Sequence, residues 1–153
     1  MIGARFDSDG NPRDSGPGGW NDPDMMLIGL SGLTMEESRT HMTLWAMLAG
    51  PLFLGNDLRS MTPETKGILL NHQIIAIDQD ALGVQGKRVR KGEDVETWTK
   101  PLADGSTAVA IFNRGDSGTA IPVQWSKLGL GGRRSKRELW TGTKLDTRRF
   151  LCR

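Results

Sequence analysis

Residues Trp20-Asn21-Asp22-Pro23-Asp24-Met25 bring together an aromatic ring, an amide and two carboxylates immediately before the apolar run Met26-Leu27-Ile28. A carboxylate accepts several hydrogen bonds at once, and an indole face can stack on the apolar face of a sugar ring. The cluster could therefore grip a polyhydroxylated ligand. It could equally be a turn, with Asp22 and Asp24 capturing backbone donors and Trp20 packed beneath. Pro23 fixes its own φ and biases Asp22 toward extended backbone, a geometry that can project the two carboxylates to different sides. Glycoside cleavage also uses paired carboxylates, but these stand about 5 Å or more apart on separate elements. Asp22 and Asp24 are too close in sequence to be assumed such a pair.

Other chemistry-bearing residues are sparser. Asn56-Asp57 ends the apolar stretch Leu52-Phe53-Leu54-Gly55, where binding groups collect if that stretch is a parallel strand; a turn cap is the alternative. His41 and His72 have no partner at metal-ligand spacing and are expected in packing or surface roles. Arg133-Arg134-Ser135-Lys136-Arg137 could meet phosphates, but no aromatics interleave with it, so a solvated edge or loop is expected and no nucleic-acid partner is assigned. Cys152 is the one cysteine in 153 residues. It excludes an internal disulfide and a Cys-based zinc site, and no metal or cofactor is implied. No apolar stretch reaches membrane-span length, and Met1-Ile2-Gly3-Ala4-Arg5 lacks the apolar core of a signal peptide.

The elements that must position these residues fall into two halves. Residues 1–83 carry 5 basic and 11 acidic residues; residues 84–153 carry 15 and 7. So sharp a change of sign suggests two units, with a boundary near Leu82-Gly83-Val84-Gln85-Gly86. Residues 1–15 read as loop or disordered lead-in. Thr34-Met35-Glu36-Glu37 is a capping box, which predicts a helix over about Met35–Ala49, stopped by Gly50-Pro51. Its buried stripe is Ser38, Met42, Trp45, Ala46 and Ala49. Leu52–Gly55 reads as a strand buried on both faces. Thr62-Pro63 starts a second helix, and Ile74–Asp80 extends the helical region. With Met25–Ile28 as a strand, the order is α/β. Beyond Gly86, alternation over Asp94–Lys100 and Thr107–Asn113, around the turn Ala103-Asp104-Gly105-Ser106, predicts an antiparallel sheet. Further strands are expected at Thr119–Trp125 and Arg137–Trp140. Thr147–Arg153 shows no pattern.

Five stretches, in order, resemble glycoside hydrolase family 27, the α-galactosidase family. They are Gly16-Pro17-Gly18-Gly19-Trp20-Asn21-Asp22-Pro23-Asp24-Met25, Leu44-Trp45-Ala46, Pro51-Leu52-Phe53-Leu54-Gly55-Asn56-Asp57-Leu58-Arg59, Ile75-Ala76-Ile77-Asp78-Gln79-Asp80 and Leu82-Gly83-Val84-Gln85-Gly86. The resemblance implies the last βα units of a (β/α)8 barrel over residues 1–83, then an incomplete antiparallel β-sandwich over 84–153. It implies hydrolysis of terminal α-linked galactose with retention, through one Asp nucleophile and one Asp acid/base. It places Asp24 and Met25 against the sugar, with Trp20, Asn21 and Asp22 supporting them. No Asp in this chain matches either catalytic motif; both are expected upstream of residue 1, so the chain is read as a fragment that is inactive alone. The substrate class is an α-galactoside oligosaccharide or glycoconjugate, met by a parent enzyme of a family often secreted. A non-catalytic sugar-binding or interaction module is the competing reading.

Overall fold

The structure, a computed structural model, describes residues 12–131, 135–145 and 149–152. Helix α1, Met35–Leu48, starts where the capping box places it. The Thr34 hydroxyl accepts from the Glu37 N–H at 3.2 Å, and the Thr34 N–H donates to the Glu37 carboxylate at 2.7 Å. The expected stripe is buried, and so are His41, Leu44, Met47 and Leu48, so the second half of α1 is enclosed on nearly every side. Its end is made by Ala49, which takes the left-handed conformation at φ 53°. A short 3-10 turn follows at Leu58–Ser60, then α2 over Pro63–Leu69 and α3 over His72–Asp78. Thr62 and Asn71 cap these two helices through their side-chain oxygens.

Strands β1 (Lys87–Lys91), β2 (Val95–Pro101) and β3 (Thr107–Asn113) form an antiparallel sheet in that order. Strand β4, Thr119–Pro122, pairs antiparallel with β5, Arg149–Cys152. One buried cluster runs through both halves: Met26, Ile28, Met42, Trp45 and Ile74 on the helical side meet Trp98, Ala110 and Phe112 from the sheet. Polar bonds cross the same seam. The Gly86 N–H donates to the Met47 carbonyl at 2.6 Å, the Lys100 ammonium to the Ala46 carbonyl at 2.9 Å, and the Trp140 indole to the Thr43 hydroxyl at 3.2 Å.

Several expectations are corrected in detail. The two strands expected at Met25–Ile28 and Leu52–Gly55 meet in a single parallel bridge, Met26 to Leu54. The second is not buried on both faces: Leu52 packs on the buried cluster, whereas Phe53, pointing to the other face, is 62% exposed, and Leu54 is 40% exposed at the open edge. Arg137–Trp140 is no strand: Arg137 bridges Lys144 across a turn. The strand from Thr119 stops at Pro122, and Trp125–Leu128 turns into a 3-10 helix. Two strands lie where no pattern was read. Strand β1 carries charge at four of its five positions, Lys87, Arg88, Arg90 and Lys91, which suits an edge but hides the alternation. Strand β5 finds its partner about thirty residues back in the chain. The Arg133–Arg137 run lies in part outside the described residues.

Candidate functional site

The Trp20–Met25 segment leads into the parallel bridge, and its geometry follows from three local devices. Pro23 is buried and seats against Gly50, where an added Cβ would fall 2.8 Å from the proline ring carbons. The Asp22 carboxylate accepts from the Asp24 N–H at 2.8 Å, closing an Asx-type turn. Asp24 then takes a positive φ of 77°, rare for a residue with a side chain. Its own carboxylate accepts from the Met25 N–H at 2.7 Å. Its carbonyl is held from below by the indole N–H of Trp45 at 3.0 Å. Trp45 is itself buried and stacks against His41, ring centroids 3.9 Å apart.

The result is a rigid hook that presents Asp24 and Met25 outward. Met25 is 53% exposed and Trp20 46%, so Trp20 does not pack beneath the turn. Asn21 turns the other way, its amide donating to the side-chain oxygen of buried Gln85 at 2.8 Å. Of the five sequence candidates, Trp20, Asp24 and Met25 thus face solvent, Asp22 is engaged in building the turn, and Asn21 ties the hook to the segment entering the sheet. Such an arrangement can offer a carboxylate and an apolar flank to a ligand with hydroxyls.

The remaining candidates have structural occupations. Asp57 caps the 3-10 turn and grips Arg59 with both oxygens, at 3.0 and 2.8 Å; that hydrogen bonding holds its carboxyl below the usual range. Asn56 has a buried side-chain oxygen without a hydrogen-bond partner among the described residues. His41 is buried against Trp45, and His72 is an exposed first-turn residue of α3. Among the described residues no group of three His, Cys, Asp or Glu could hold a metal ion, and no helix is long and apolar enough to cross a membrane. Trp45 and Gln85 were missed as site residues. No spacing rule marks a helix indole as the clamp of a loop carbonyl; their presence inside two of the resembling motifs was the available signal.

Comparison with known proteins decides the family. Residues 7–80 match the model for alpha galactosidase A, and residues 92–150 match that of the alpha galactosidase C-terminal beta sandwich domain. The chain belongs to the α-galactosidase family, GH27. An α-galactosidase of Cyamopsis tetragonoloba is 44% identical over 128 residues, covering 82% of this chain and 31% of that protein. Alpha-galactosidase I from Mortierella vinacea superposes with a TM-score of 0.80 at 33% identity, over 88% of this chain and 36% of its own. The Saccharomyces cerevisiae enzyme solved with raffinose gives 0.78 at 25% identity, over 88% and 34%. This GH27 chain therefore spans about a third of the length of the relatives it matches. Its fold is that of βα units of the family's barrel followed by strands of its β-sandwich.

Proposed function

We propose that this chain supplies part of the galactose-binding rim of a retaining α-galactosidase, with residues 1–83 ending the barrel and 84–153 opening the β domain. Asp24 accepts hydrogen bonds from sugar hydroxyls, and Met25 gives an apolar flank. Trp20, Asn21 and Asp22 support them. The substrate is a terminal α-galactoside; the yeast relative solved with raffinose supports that class. The observation that carries this reading is the clamped backbone at Asp24. A residue held at φ 77° by Asp22 and Trp45 at the mouth of a parallel strand pair is strain of the kind that collects where a side chain must be aimed.

The attacking and proton-donating carboxylates of a double displacement have no counterpart matched in this chain, so binding is separable from turnover. Titrating the chain with galactose and following backbone amides by NMR should shift Asp24 and Met25 first, and Asp24→Asn should remove the response. A chromogenic α-galactoside should not be cleaved by the chain alone. Galactose shifts that ignore Asp24, or turnover lost on Asp24→Asn, would overturn the assignment.

A further inference from the structure

A second buried ring stands behind the clamp on Asp24. The Trp45 indole N–H reaches the Asp24 carbonyl at 3.0 Å. An indole turns about its side-chain bonds, so this reach depends on what fixes the ring. Helical side chains lean toward the N-terminus and cover the turn before their own. The position beneath Trp45 is therefore one turn back in α1, and His41 occupies it. The two ring centroids lie 3.9 Å apart, with the planes tilted by 36°. Both rings are buried, so neither has open space to swing into. A flat ring gives another flat ring a face to rest on, and a flexible chain of similar bulk does not.

We propose that His41 is a positioning residue for the hook: its ring holds the Trp45 indole at the tilt that keeps the N–H under the Asp24 carbonyl. Three residues then connect the interior of α1 to the rim. His41 fixes Trp45 by stacking, Trp45 holds the Asp24 carbonyl, and the held backbone at φ 77° aims Asp24 and Met25 outward. Each part of a site is only as well placed as the side chains that support it. A residue that merely filled space would be replaced by glutamine, close to histidine in size, as well as by phenylalanine. A residue that offers a ring face would be replaced by phenylalanine alone. The step from His41 to the hook stands on geometry. The further step, that a displaced hook weakens galactose binding, rests on the assignment of Asp24 made above.

The test compares His41→Phe with His41→Gln in the full, isotope-labelled chain by NMR. It follows the indole N–H of Trp45 and the amides of Asp24 and Met25. The indole N–H of Trp98, which donates to Glu96 within β2 at 3.2 Å, reports whether the sheet stays folded. His41→Gln should speed hydrogen exchange at the Trp45 indole about tenfold or more and move the Asp24 and Met25 amides, with Trp98 unchanged. His41→Phe should leave all four groups as in the native chain. Native behaviour in His41→Gln, equal displacement in both variants, or equal acceleration at Trp98 would each overturn the proposal. If His41→Gln does not fold, His41→Phe decides: a native Trp45 signal supports the role, and exchange about tenfold faster removes it. Galactose titration of the same samples keeps the two readings apart. Where the native chain responds, His41→Gln should respond more weakly and His41→Phe should match it. A native chain that ignores galactose, while His41→Gln displaces the Trp45 indole, leaves the positioning role standing and counts against the galactose assignment alone.

Discussion

Asp24 holds a backbone conformation that costs an ordinary L-residue about 1–2 kcal/mol. Three bonds offset that cost: Asp22 on its N–H, its own carboxylate on the Met25 N–H, and the Trp45 indole on its carbonyl. Removing the side chain should therefore depend on whether a Cβ remains. Asp24→Ala keeps the steric penalty and loses the bond to Met25, so urea unfolding should show a loss of about 1–2 kcal/mol. Asp24→Gly loses the same bond but relaxes the backbone, and should cost less than half as much. Equal losses would mean that φ 77° carries no strain. Both variants discard the carboxylate assigned to galactose, so Asp24→Gly separates stability from binding at one position.

At the scale of elements, two glycines make opposite forecasts from the same substitution. Gly55 lies in the parallel bridge, where an added Cβ would sit 2.9 Å from the Met26 carbonyl oxygen and 3.6 Å from the Met25 Cβ. The obstacle is backbone, so Gly55→Ala should lower stability by about 1–3 kcal/mol. Gly67 is exposed inside α2 with nothing within 4 Å of that position, and Gly67→Ala should raise stability by about 0.5–1 kcal/mol. Denaturant midpoints of the two variants check both signs. These elements also show what a sequence reveals. The capping box at Thr34–Glu37 and the alternation of Thr107–Asn113 are local signals, and both elements stand where they were read. The charged edge β1 lacks an apolar face to alternate, and β5 depends on a distant partner, so neither could be read locally. At the site, the carboxylates and aromatic were legible by type. The clamp from Trp45 and the anchor on Gln85 were not, because each bond joins segments more than twenty residues apart.

For the whole molecule, the seam between helices and sheet is where charge has been taken out of water. Lys100 is fully buried in β2 and donates to the carbonyl of Ala46 near the end of α1; burial pulls its pKa down, partly opposed by Asp78 and Asp80. Asp80 fastens the end of α3 to the β2–β3 turn through the Ala103 N–H at 3.0 Å. Asp78, the last residue of α3 and 6% exposed, is raised by burial from 3.8 to about 6, against the pull of the Gln79 amide and of Lys100. A carboxyl whose pKa is higher folded than unfolded binds more protons in the native state. Its linkage therefore lowers stability as pH rises between the two values, by at most about 3 kcal/mol for a two-unit shift. Below pH 4 the acid is neutral in both states and contributes no difference; above pH 6 the full cost is present. Asp78→Asn keeps the size and an acceptor for Gln79 while removing the charge. The variant should match the native chain near pH 3.5, become progressively more stable between pH 4 and 6, and hold a constant advantage of about 2–3 kcal/mol at pH 7. Urea midpoints of both proteins measured across that range give the difference directly, and the exposed carboxylates cancel from it. An advantage that is independent of pH, or that grows toward acid, would show that Asp78 is not held neutral by burial at this seam.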